Sequence, residues 1–232
     1  MQAMRSVAVI GANGYVGSAL LARLLPRREY AVEAVTRENY LVAKEKEYDV
    51  VINCAMPSGK FWAQNNPQMD FKETVEKTAD ILYGWKFKKF VQVSTISARC
   101  QLDTVYGRHK AAAEKLCDFG DNLVVRLGAI YSEEIKKGVL SDMLHGKKVY
   151  ADGSSRYPFI SLAYCADWIA SNLDRKGIVE LGGRNAIALK AITEHLQANV
   201  EFEGAVAHLD VESEEKLPEA SEVLAFLDSL KK

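Results

Sequence analysis

The chain has 232 residues, 30 Lys and Arg against 31 Asp and Glu, and is 48% hydrophobic and 26% charged. That length and apolar content exclude a disordered or collagen-like chain and suffice for one large domain with its own core. A net charge of −1 supplies no long-range field for nucleic acid or an anionic membrane, so any phosphate must be held locally.

In chain order, Ser6 to Ile10 reads as a buried strand, followed by a helix with apolar residues at Val16, Leu20, Leu21 and Leu24 and a stop at Pro26. Tyr30 to Val35 is the second strand, Asp49 to Ile52 the third, Phe90 to Val93 the fourth and Leu123 to Leu127 the fifth. Helical patterns at about Met69 to Gly84 and Tyr106 to Cys117 lie between them. Strands alternating with helices predict an α/β fold, a doubly wound parallel sheet whose ligands bind at the carboxyl ends of the strands. Only twelve residues separate Thr36 from Asp49, room for one short crossover.

After Leu127 the pattern loosens. A helical stretch around Glu133 to His145, a turn at Asp152 to Ser155, a helix from Leu162 to Leu173 and a strand at Ile178 to Leu181 follow. Two more helices are predicted near Lys190 to Ala198 and Pro218 to Leu230. The chain is expected to be a single domain, 1–232, in which residues about 132–176 and 184–232 contribute a small substrate lobe on the same sheet.

Cys54, Cys100, Cys117 and Cys165 form no C-x-x-C pair and are expected as reduced thiols; the four histidines show no metal-ligand spacing. The amino-terminal apolar run is broken by glycines and cannot act as a signal-peptide core, and no stretch approaches the roughly 18 to 20 apolar residues of a membrane helix. A cytoplasmic protein without nucleic-acid or membrane partners is expected.

The first chemical feature is Gly11-Ala12-Asn13-Gly14-Tyr15-Val16-Gly17, where the first strand turns into a helix. Gly11 permits the turn, Gly14 lets the backbone approach a pyrophosphate, and Gly17 lets the helix pack on the strand. The helix N-terminus, Asn13 to Val16, would offer N–H groups to phosphate. At the end of the second strand an acid would select NAD and a base NADP; the sequence there is Thr36-Arg37, which favours NADP and leaves NAD open.

The second feature is Tyr106 and Lys110, one helical turn apart, where an ammonium is expected to lower a phenol pKa toward the range of a general acid/base. Tyr40 and Lys44 have the same spacing. Context separates the pairs, because Tyr106 follows a strand ending Ser94-Thr95-Ile96-Ser97, whose hydroxyls could bond a substrate carbonyl.

Taken in order, the glycine turn, Asn53-Cys54-Ala55, Val93-Ser94-Thr95, Tyr106-x-x-x-Lys110 and the run from Val125 to Tyr131 resemble the extended short-chain dehydrogenase/reductases, which include the NAD-dependent epimerases and dehydratases. The resemblance implies a Rossmann-type fold and a catalytic set of Thr95, with Ser94 as second choice, Tyr106 as acid/base, and Lys110 lowering its pKa and holding the nicotinamide ribose. It also implies that Asn53 and Ala55 pass close to the adenosine half of the cofactor.

This chain departs from the pattern in having Thr74 where an Asn of the proton relay is usual, and in lacking a proline after Arg126-Leu127. The expected activity is NAD(P)-dependent oxidation, reduction or epimerisation of a small-molecule carbonyl or alcohol, most plausibly on a nucleotide-activated sugar; the alternative is a non-catalytic NAD(P)-binding redox sensor. Lys136, Lys137, Lys147, Lys148 and Arg156 are candidate diphosphate partners, although solvated surface charge is the favoured reading, and Trp62 and Trp85 are expected in packing roles. A homodimer built from the helix after the third strand and the Tyr106 helix is also implied.

Overall fold

A computed structural model describes residues 4–135 and 138–230; Lys136 and Lys137 of the candidate diphosphate set lie outside the described residues. In chain order the elements are β1 (Arg5–Ile10), α1 (Tyr15–Leu24), β2 (Tyr30–Val35), α2 (Tyr40–Lys44) and β3 (Glu47–Asn53). Then follow α3 (Lys60–Asn65), α4 (Pro67–Phe71), a π-helical turn at Lys72–Glu76, and α5 (Lys77–Gly84). Next are β4 (Lys86–Thr95), α6 (Ser97–Cys100), α7 (Val105–Cys117), β5 (Leu123–Leu127), β6 (Ala129–Tyr131) and α8 (Val139–Leu144). The chain closes with β7 (Arg156–Tyr157), β8 (Phe159–Ser161), α9 (Leu162–Ser171), β9 (Gly177–Leu181), β10 (Ile187–Ala188), α10 (Leu189–Leu196) and α11 (Glu222–Ser229).

Six strands form one parallel sheet in the order β2-β1-β3-β4-β5-β9. The registers Val9↔Ala34 and Val9↔Ile52 set β1 between its two neighbours, so its carboxyl end opens toward the turn that follows it. Strand β1 is buried from Val7 to Ile10, β3 from Val50 to Asn53 and β4 from Lys89 to Ser94, as strands covered on both faces must be. The expected doubly wound α/β architecture is the one observed.

The polypeptide divides into two compact units. The first takes the described part of residues 1–126 with Ala166–Val179, and the second Leu127–Cys165 with the described part of residues 180–232. In the first, Ala8, Ile10, Val35, Val51, Ile81, Trp85 and Phe90 pack into one core. The second has its own core of Tyr131, Met143, Phe159, Leu189, Ile192, Val223 and Leu227, and two small sheets, antiparallel β7 with β10 and parallel β6 with β8.

Two local features depart from expectation. Among the described residues of the stretch from Glu133 to His145, read as one helix, the six of α8 are helical; Gly138 at φ 89° sets where α8 begins. The helix expected over Met69 to Gly84 begins earlier, at Pro67, and is broken by the π turn, while α3 precedes it where no element was expected. Among the described residues no helix is long and apolar enough to cross a membrane.

Candidate active site

The glycine turn is built by contact as well as by conformation. Gly11 has φ +83°, and a Cβ there would lie 2.9 Å from Cys54 and Ala55 backbone atoms, so the end of β3 presses directly on the turn. A Cβ on Gly17 would come within 2.2 Å of the Gly11 carbonyl oxygen, which only a glycine in α1 tolerates. The Gly11 and Ala12 N–H groups both donate to the Val35 carbonyl, at 3.0 and 3.2 Å, tying the turn to the end of β2. Asn13 and Gly14 are left exposed at its crest. Helix α1 has no side-chain cap and no acidic residue in its first turn, the condition in which a helix N-terminus accepts an anion. Its first residues, Tyr15 and Val16, are half-buried.

At the end of β2 the Thr36 hydroxyl donates to Glu38, and its N–H donates to Asn39 Oδ1 at 2.7 Å, so Thr36 is an organiser of the bend. Arg37 projects exposed beside it. The fully buried Asn53 donates from Nδ2 to Gln92 Oε1 at 3.1 Å and accepts the Ala55 N–H at 3.0 Å. Its side chain therefore holds the ends of β3 and β4 in register and shapes the Cys54–Ala55 corner under Gly11.

The hydroxyl cluster after β4 separates into two roles. Ser94 donates to Glu114 Oε1 at 2.5 Å, and Glu114 also receives Arg126 through Nε at 3.1 and 3.0 Å and Nη2 at 2.7 Å. Both Ser94 and Glu114 are buried, so this hydroxyl is consumed by an internal ion pair. Thr95 is instead half-buried, accepts the Ser97 N–H at 3.3 Å and shares a side-chain hydrogen bond with the Tyr106 phenol.

Helix α7 begins where Thr104 caps it, accepting the Gly107 N–H at 3.0 Å. Its inward face carries Tyr106, Lys110, Ala113 and Glu114. The Lys110 ammonium lies 5.2 Å from the Tyr106 ring centroid and donates to the Pro57 carbonyl at 2.7 Å. Tyr106 and Lys110 are 6% and 2% exposed, which decides their protonation. Burial pushes the Tyr106 phenol up to about 12, against the lowering that its hydrogen bond to Thr95 supplies. Burial likewise brings the Lys110 ammonium down to about 7, opposed by the charges of Asp70 and Glu114. The lowering of the phenol expected from spacing alone is thus reversed in the free protein, because desolvation of both groups outweighs their mutual field.

The sequence reading missed three participants: Glu114, which takes Ser94 out of contention; the Pro57 carbonyl, which holds Lys110; and Asp70, buried on α4. The signal for Glu114 was its position one turn beyond Lys110. Elsewhere, Trp85 is buried, whereas Trp62 is partly exposed. Lys148 pairs with Glu201 and Glu203, and Arg156 with Asp210, as surface charges do. A cavity of about 610 Å³ at the amino ends of β4 and β9 is lined by Lys88, Lys89, Asp121, Asp174, Arg175 and Lys176. Its lysines bond Asp49, the Asp121 and Arg175 carbonyls, and the Asp121 carboxylate, and it lies at the opposite strand ends from the glycine turn. Among the described residues no cluster of His, Cys, Asp and Glu could hold a metal ion.

The model of the NAD dependent epimerase/dehydratase family matches residues 7–177, which contain the glycine turn, Thr95, Tyr106 and Lys110. The chain belongs to that family. Solved structures repeat its fold along almost the whole length. A dTDP-4-dehydrorhamnose reductase from Bacillus anthracis, in complex with NADP, superposes with a TM-score of 0.75 at 16% identity, covering 98% of this chain and 99% of that one. A UDP-glucuronic acid 4-epimerase from Bacillus cereus, in complex with UDP-glucuronic acid and NAD, gives 0.68 at 18% identity over 97% and 96%. A UDP-N-acetylglucosamine 4-epimerase from Methanobrevibacter ruminantium gives 0.67 at 14% over 100% and 93%. No curated protein matches the chain.

Proposed function

We propose that this member of the epimerase/dehydratase family is an NADP-preferring reductase of a keto-sugar carried on a nucleoside diphosphate. The observation that carries the reading is the buried Tyr106 phenol, hydrogen-bonded to the Thr95 hydroxyl with the Lys110 ammonium against its ring, at the carboxyl end of β4. The uncapped start of α1 and the glycine turn fit a dinucleotide pyrophosphate, offered backbone from Gly11 and Asn13 to Gly17. When bound there, a reduced nicotinamide supplies a hydride for a carbonyl carbon.

The protein's own residues then deal with the oxygen. Thr95 orients the carbonyl by a hydrogen bond, and Tyr106 gives it a proton. Burial keeps the phenol protonated in the free protein, the state from which it can donate. Lys110 would steady the resulting phenolate and hold the nicotinamide ribose, the role that the family resemblance implies for it. Alignment of donor and acceptor, more than any strong acid, supplies the rate.

NADP over NAD rests on Arg37, exposed at the end of β2 with Glu38 beside it drawn toward Thr36. The nucleotide-sugar class is supported by the reductase and epimerases of like fold, whose names and bound sugars describe those proteins. Epimerisation is the second reading, favoured by the family model itself. The small substrate lobe expected from sequence and a homodimer through α5 and α7 belong to this proposal. Light scattering that gives a monomer mass at micromolar concentration would remove the dimer.

The test is oxidation of NADPH and NADH against a panel of dTDP- and UDP-4-keto-hexoses, with wild type and Tyr106→Phe. Turnover that prefers NADPH and vanishes in the variant supports the reading. Turnover that survives Tyr106→Phe overturns the acid/base role, and tight NADPH binding without turnover of any sugar returns the protein to the redox-sensor alternative.

A further inference from the structure

The buried run of β4 opens on a charge. Lys89, 8% exposed, stands at a position that an interior strand of a parallel sheet ordinarily gives to an apolar side chain. Its ammonium donates to the Asp121 carbonyl at 2.8 Å and to the Arg175 carbonyl at 2.6 Å. Two of its three N–H groups are used in this way, both on neutral oxygens, and among the described residues no carboxylate bonds it. A buried cation is normally paired, because its desolvation otherwise goes uncompensated.

Lys89 also lines the cavity at the amino ends of β4 and β9. At about 610 Å³ that cavity falls in the range of small-molecule sites, roughly 300–1,000 Å³. Its other lining residues are Lys88, Arg175 and Lys176 with Asp121 and Asp174, so four cations face two carboxylates. Both carboxylates are engaged, Asp174 by Arg5 at 2.7 Å and Asp121 by Lys176 at 3.6 Å, and Lys88 reaches Asp49 at 2.8 Å. With Arg5 and Asp49 included, five cations meet three carboxylates, and the positive surplus repels a metal ion and attracts an anion. The walls are formed in advance. Asn122 accepts the Phe90 N–H through Oδ1 at 3.1 Å and the Gly177 N–H through its carbonyl at 2.9 Å, while Lys89 ties the turn before β5 to the turn before β9. A ligand entering there has no loop to order first.

We propose that this cavity is a second binding site, for a small polyanion, in which Lys89 gives its remaining N–H to the anion and the exposed Lys88, Arg175 and Lys176 supply charge around it. The chemistry is that of a molecule with two or more phosphoryl or carboxylate groups, which uses both the surplus charge and the volume. Lys89 lies six residues before Thr95 on β4, about 20 Å away at the rise of an extended strand, so the site is separate from the glycine turn and the Tyr106 phenol. It stands whether or not Tyr106 is the acid/base.

Isothermal titration calorimetry of the full chain tests it, with pyrophosphate and citrate as probes and the ionic strength held constant with sodium chloride. Wild type should bind at least one of them, and the tighter probe identifies a phosphoryl or a carboxylate ligand. Replacing two exposed residues together, Lys88→Gln with Lys176→Gln, should weaken binding at least tenfold with the circular dichroism spectrum unchanged, and Lys89→Met should do the same. Lys147→Gln with Lys190→Gln removes the same charge from exposed positions elsewhere and should leave binding within twofold. No binding by wild type, or unchanged binding in the Lys88 and Lys176 variant, overturns the site, the second result placing the anion elsewhere, the glycine turn included. An equal loss in the control pair reduces the effect to diffuse charge and also overturns it. A folded Lys89→Met that binds as wild type does overturns the role of the buried ammonium; if that variant fails to fold, the exposed pair still decides.

Discussion

Tyr40 with Lys44, and Tyr106 with Lys110, are the same pair of side chains one helical turn apart, set in opposite surroundings. Tyr40 donates to Asp80 at 2.8 Å and accepts from the Trp85 indole at 3.2 Å, while Lys44 reaches the other oxygen of Asp80 at 2.5 Å. One carboxylate thus holds both members, and together with burial it drives the Tyr40 phenol far above its ordinary value. Among the described residues, Tyr106 and Lys110 bond neutral oxygens, the Thr95 hydroxyl and the Pro57 carbonyl. A phenol locked to a carboxylate is a packing device, with its proton committed. Under the proposed reading, the phenol against a hydroxyl passes its proton to a substrate, and Lys110, whose charge burial disfavours, steadies the phenolate that results. Spacing creates the pair, and the partners decide what it does.

The sharpest way to break this comparison is a matched pair of deletions. Tyr106→Phe should lower kcat by about 10²–10⁴-fold, the usual contribution of a positioned general acid, while Tyr40→Phe leaves it within twofold. Equal losses in steady-state NADPH oxidation would erase the distinction.

Stability against pH gives the next largest contrast. The Lys110 pKa is depressed to about 7 in the folded chain and ordinary in the unfolded one. Above pH 7 the unfolded state binds a proton that the folded state has lost, so stability should rise by up to about 1.4 kcal/mol per pH unit until the unfolded lysine also deprotonates. Lys110→Met should remove that slope between pH 7 and 10 in urea melts and be more stable than wild type near neutrality. A variant retaining the slope would show that the amine is not desolvated.

The neighbouring hydroxyls should part in the same manner. Ser94→Ala takes a donor from the buried Glu114 and should cost about 1.5–3 kcal/mol of stability with little change in turnover. Thr95→Val should do the reverse, with turnover lowered tenfold or more and the melting temperature nearly unchanged. The smallest effect is expected at the decoy pair: Asp80→Ala, half exposed, should cost no more than about 1 kcal/mol, read as a small shift in urea midpoint and none in kcat.

Much of the fold was legible because its signals are local. Apolar β-branched runs, the glycine spacing and the stop at Pro26 act over a few residues, and they suffice to order five strands and the helices between them. The sixth strand, β9, was readable as a strand, but its place beside β5 depends on pairing across a long stretch of chain. The two-residue strands of the second unit, and the single-turn α3, carry too few residues for periodicity to register.

The candidate site divides along the same line. Gly11, Gly14, Gly17, Tyr106 and Lys110 were recognisable as candidates from type and spacing, since turn geometry and helical phase are written in consecutive residues. Whether Ser94 or Thr95 meets the phenol was not, because the answer lies in Glu114, two turns further along α7, and Arg126, which arrives from β5. The direction of the Tyr106 and Lys110 shifts was equally out of reach. A charge one turn away is visible in sequence, but the desolvation that outweighs it comes from helices and strands closing around α7, while the charge of Asp70 on α4 adds to the rise of Tyr106 and opposes the fall of Lys110. Local chemistry selected the residues; burial, which only the folded chain possesses, set their charges and their partners.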